Sequence, residues 1–91
     1  MALGNLNIGQ PKQITASGNV RNTQGALVGI FVSSATAGTL AVYDDAAAGT
    51  TTKIVDTFSV AAATWYPLPI GVGAGINVVV GGTVSATVVH A

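Results

Sequence analysis

The sequence contains no cysteine and no glutamate. The first absence excludes disulfides, thiolate metal sites and any Cys–His catalytic pair. The second, with few Leu, Lys and Arg, removes the residues that fill helices in ordinary globular domains. Charge is scarce: Lys12, Arg21 and Lys53 are the only lysine or arginine cations, and Asp44, Asp45 and Asp56 the only side-chain anions. At 7% charged residues, against about 25% in an average domain, the surface has little to keep copies apart. The net charge of zero supplies no field to draw nucleic acid or an anionic membrane surface. From Thr57 to Ala91 there is no Asp, Glu, Lys or Arg. That stretch is nevertheless cut by Pro67, Pro69, Gly71, Gly73, Gly75, Gly81 and Gly82, whereas a spanning helix needs about 20 uninterrupted apolar residues. No membrane partner is expected.

What is abundant is small or β-branched: Ala, Gly, Thr and Val, in short runs parted by Gly, Asn and Asp. Ninety-one residues suit one domain with a modest core, which commonly gains stability by joining a partner. The pattern divides the chain into an extended arm over residues 1–11, with Leu3, Leu6 and Ile8 as its apolar residues, and a β domain over 12–91.

Within that domain, Lys12–Arg21 predicts a strand bent at Ser17-Gly18-Asn19, and Asn22–Gly25 a turn. Ala26–Ser34 predicts a strand buried on both faces, with Val28, Ile30 and Val32 on one side and Leu27 and Phe31 on the other. A turn at Ala35–Gly38 precedes a strand over Thr39–Asp44, and a small-residue loop spans Asp45–Thr50. Thr51–Val60 alternates well except at Asp56, where a twist or a bulge is expected. Trp65–Ile70 carries Pro67 and Pro69, so it predicts an edge strand or extended loop. Gly71–Gly75 is a turn, and Gly81-Gly82 predicts a hairpin between strands Ile76–Val80 and Thr83–His90. The whole predicts an all-β, antiparallel β-sandwich, jelly-roll-like, of about seven to eight short strands.

No constellation suggests catalysis. His90, the sole histidine, stands one residue from the last, where a side chain is expected to be poorly held, and no GxSxG-type elbow surrounds a serine. Asp44-Asp45 could hold a weak cation with loop carbonyls, but lacks EF-hand spacing, so a turn stabilised by Asp side chains is the expectation. Gly71-Val-Gly-Ala-Gly75 precedes a strand rather than a helix, and no lysine follows, so it is not a phosphate loop. No catalytic residue, metal site or cofactor is expected. Trp65 and Tyr66, the densest aromatic pair, either plug one end of the sandwich or face a partner.

The phrases Gly25-Ala-Leu-Val-Gly-Ile-Phe-Val-Ser-Ser34, Gly38-Thr-Leu-Ala-Val-Tyr-Asp44, Trp65-Tyr-Pro-Leu-Pro69 and Gly75-Ile-Asn-Val-Val-Val80 resemble small virion proteins of tailed bacteriophages. The likeness covers residues 12–91 and is one of strand and turn phrases, with no active-site motif to carry over. It implies a compact β-sandwich that decorates or cements a capsid, or sits in the tail, and a location in the virion. It also implies self-association, as a homotrimer or else a dimer, and contact with a major capsid protein or another virion protein. Partner-binding candidates are then Leu3, Leu6, Ile8, Trp65 and Tyr66. A carbohydrate-binding or adhesin module using Trp65 and Tyr66 is the alternative from another class.

Overall fold

A computed structural model describes residues 9–91. Six strands form one antiparallel sheet: β1 (Gln10–Ile14), β2 (Gly18–Arg21), β3 (Gly25–Tyr43), β4 (Lys53–Ser59), β5 (Thr64–Val72) and β6 (Ile76–His90). Among the described residues there is no helix.

Two of these strands are far longer than alternation alone predicts: β3 has 19 residues and β6 has 15. They pair along almost their whole length, from Leu27↔His90 to Tyr43↔Asn77. The flanking strands come in end-to-end sets. β1 pairs with β6 over Ala86–His90, and β2 with its start at Ile76–Val78. β5 pairs with β3 over Gly25–Val32, and β4 over Thr39–Tyr43.

The sheet therefore divides into two layers. The first has the order β1, second half of β6, first half of β3, β5; the second runs β2, first half of β6, second half of β3, β4. Counting the two long strands once in each layer, this is the strand order of a jelly roll. The all-β antiparallel expectation holds, and the strand count falls to six because two expected turns do not reverse the chain. Ala35–Gly38 and Gly81-Gly82 lie inside β3 and β6 and bend them from one layer into the other.

The bend has a backbone cause. Ala37 (φ 49°) and Gly82 (φ 69°) both adopt the left-handed conformation where the β3–β6 register shifts, and Ala63 (φ 54°) does so between β4 and β5. A Cβ at Gly82 would collide with the Ala37 carbonyl oxygen. Glycine is therefore required there both for its φ and for the close approach. Thr15–Ser17 separates β1 from β2, so the single bent strand expected over Lys12–Arg21 is two strands, one in each layer.

The layers close on an apolar core. Ile14, Leu27, Ile30, Val32, Val72, Ala86 and Val88 come from the first layer, and Leu40, Val42, Ile76 and Val78 from the second, with Val84 at the bend. Leu27 and Ile30 both face inward although three residues apart, because the register with β6 slips between Leu27 and Gly29. That bulge reverses the phase of the strand, so Phe31 is turned outward and is 40% exposed. The expectation of a strand buried on both faces is corrected accordingly. Of the twist or bulge expected at Asp56, the bulge is present: Leu40↔Phe58 is followed by Val42↔Val55, leaving one extra residue on β4. Asp56 is exposed there and meets Lys53 at 3.0 Å.

Candidate interaction face

The two outer faces of the sandwich differ. Over the second layer folds the loop between β3 and β4. Asn19 of β2 donates from Nδ2 to the carbonyls of Asp45 (3.0 Å) and Ala47 (2.8 Å), and its cross-strand neighbour Asn77 of β6 donates to that of Gly49 (2.9 Å). Asn77 is buried beneath this cover.

Both loop carboxylates are occupied by backbone donors. Asp45 Oδ1 accepts from the amides of Ala47 (2.7 Å) and Gly49 (3.1 Å). Asp44 reaches across to the turn between β5 and β6 and accepts from Gly73 (2.9 Å), Ala74 (2.8 Å) and Gly75 (3.2 Å). These N–H groups, Gly73's foremost, hold the Asp44 carboxyl below the usual carboxylate range. Asp45 thus has the local use expected of a turn aspartate, whereas Asp44 bonds amides 29 to 31 residues away along the chain. Gly71–Gly75, once a phosphate-loop candidate by composition, gives its last three N–H groups to Asp44.

His90 is better held than its place near the end of the chain predicts. It is buried in β6, and its Nδ1 lies 3.4 Å from Nη1 of Arg21. Nε and Nη2 of that guanidinium donate to the Gln24 carbonyl. Burial first, and the Arg21 charge second, lower the imidazole pKa below its ordinary value. Ala26 and Ala91 exchange backbone hydrogen bonds of 2.8 Å beside it. This cluster joins the two layers at the end opposite the bend. Among the described residues no three potential ligands come together for a metal ion, and no pocket is formed.

The first layer's outer face is different. Phe31 of β3 stands opposite Trp65 of β5, 40% and 45% exposed. Alternation puts Gly29, Ser33, Thr87, Val89, Pro11, Gln13 and Pro67 on the same side. None carries a charge. Trp65 lies over Gly29, where a Cβ would come within 2.5 Å of its ring. Gly9, the first described residue, sits against Val89 and Val28.

The aromatic pair is therefore split. Trp65 points out, while Tyr66 points in and packs edge-on against Phe58, with ring centroids 5.3 Å apart and planes at 67°. The Tyr66 hydroxyl accepts a hydrogen bond from the Ala61 amide at 2.9 Å. Of the partner-binding candidates, Trp65 lies on a face that no other described segment covers and Tyr66 serves packing; Leu3, Leu6 and Ile8 fall outside the described residues. Sequence reading missed Phe31. The available signal was Gly29, since a lone glycine within a strand pattern marks a bulge or a close approach. Here it marks both.

No family model matches the chain, and the searches of curated proteins and of solved structures each return no match.

Proposed function

We propose that this protein is a non-catalytic structural component of a larger protein assembly, a small virion protein of the capsid-decorating kind. The observation that carries the reading is the uncharged outer face bearing Phe31 and Trp65. Exposed aromatic side chains on an otherwise small-residue surface are the anchors that interfaces use. A monomer with 7% charged residues gains solubility when such a face is covered. The jelly-roll strand order adds support by analogy, since viral capsid proteins use it, though lectins do too. In this reading the sandwich is the body, and the expected N-terminal arm, with Leu3, Leu6 and Ile8, helps fix it to the major capsid protein or another virion protein; Gln10 and Pro11, the last two residues of that expected arm, belong to β1 of the sandwich.

The test is localisation. An antibody raised against the chain is applied to particles from cells carrying its gene and viewed by electron microscopy. Label over the shell is the expected result; label at the tail would make it a tail or baseplate component. Particles without label would overturn the virion reading. A glycan array probed with the wild-type protein and Trp65→Ala tests the carbohydrate-binding alternative, which requires binding that the substitution abolishes.

A further inference from the structure

We propose that a second copy of this chain stacks on the outer face of the first layer, sheet against sheet, about a two-fold axis. The inference rests on the assembly reading above and names its first partner.

The structure disfavours association through the sheet edges. β5 carries Pro67 and Pro69, β1 carries Pro11 and Lys12, β2 has only four residues, and β4 is broken by the Asp56 bulge and its Lys53 ion pair. Such devices block strand addition. The second layer's outer face carries the loop held by Asn19 and Asn77. Among the described residues this leaves the first layer's outer face as the broad uncovered sheet surface.

That surface fits itself. It bears no formal charge, so two copies meet without burying an unpaired ion. Its residues are small around Phe31 and Trp65, as close approach of two sheets at about 10 Å requires. Four strands averaging about eight residues, spaced about 4.8 Å apart with a rise of about 3.3 Å, give on the order of 500 Å² in projection. With side-chain relief added, this nears the roughly 800 Å² per partner of a standard interface. A face that meets itself closes at two copies, unlike the trimer that the phage likeness favours.

The experiment is light scattering behind a sizing column on the full chain over a hundredfold concentration range. The expected mass is twice 8.9 kDa. Thr87→Arg, which puts a charge at the centre of the face, and Phe31→Ser should each weaken dimerisation at least tenfold, while Thr50→Arg in the opposite loop leaves it unchanged. Circular dichroism reports whether each variant is folded. If either central variant is unfolded, Gln13→Arg, at an exposed position of the same face, takes its place with the same expected loss. A wild-type monomer at every concentration overturns the proposal, as does a dimer that survives the face substitutions. A monomer that still labels particles would sink this inference alone; a dimer absent from particles would sink the virion reading alone.

Discussion

The indole of Trp65 on β5 lies across Gly29 on β3, so close that a Cβ at Gly29 would stand 2.5 Å from two of its ring carbons. The contact holds an exposed aromatic against the sheet. It also makes glycine a requirement of packing, since this position needs no unusual backbone angle.

Gly29→Ala should lift the ring from the sheet. Overpacking costs about 1–3 kcal/mol, and the Tyr66 carbonyl, 2.8 Å from the new methyl group, gives it little room. We expect a lower urea midpoint together with red-shifted tryptophan emission. An unchanged spectrum would show that the indole does not rest on Gly29.

The bend between the layers makes an opposed pair of predictions. A non-glycine residue in the left-handed region is strained by about 1–2 kcal/mol, partly offset on glycine substitution by about 0.5–1 kcal/mol of backbone entropy. Ala37→Gly should therefore stabilise the protein by up to about 1 kcal/mol. Gly82→Ala imposes that strain and drives a methyl group into the Ala37 carbonyl, so it should cost more than about 2 kcal/mol. Urea titrations of both variants decide it.

His90 predicts a pH dependence on the mildly acidic side. Its folded pKa lies below the ordinary value of 6.5, so the unfolded chain takes up the proton first as pH falls. The stability associated with neutral His90 is complete above about pH 6.5 and declines as pH drops through the folded pKa. Melting temperature should fall from pH 7.5 to 5.5 in the wild type and much less in His90→Gln.

Asp44 acts in a separate, more acidic window. Its folded pKa is lowered from 3.8 by the amides of Gly73, Ala74 and Gly75, so its contribution is intact above about pH 4 and lost as pH falls further. Asp44→Asn should lower the melting temperature at pH 7 and flatten the decline below pH 4, as a melting series from pH 2 to 5 would reveal.

Asn77 is buried, and its amide reaches the Gly49 carbonyl. Asn77→Ala should cost about 1–2 kcal/mol and loosen the cover over the second layer. Limited proteolysis should then cut within residues 45–50 faster than in the wild type.

Much of this architecture was legible from local pattern. Strand identity followed from β-branched alternation, the edge character of β5 from Pro67 and Pro69, and the bulge in β4 from Asp56 breaking an apolar set. The misreadings share one cause. Gly81-Gly82 and Ala35–Gly38 have turn composition, but a small-residue break permits a bend as readily as a reversal. The long pairing between β3 and β6 selects the bend. Phe31 was misplaced because the bulge beside Gly29 changes the phase of alternation without changing composition.

The sequence by itself determined the class of structure and the chemistry that is lacking. Its β-branched runs specify strands, and the absence of cysteine rules out thiol chemistry. Only the tertiary structure decided which surfaces are covered. Asn19 and Asn77 meet the β3–β4 loop across 26 to 28 residues of chain, and Phe31 meets Trp65 only through the register of β3 with β5. Those juxtapositions come from non-local pairing, in which a one-residue slip turns a side chain from core to surface. The pattern along the chain carries no record of that slip until the strands are paired.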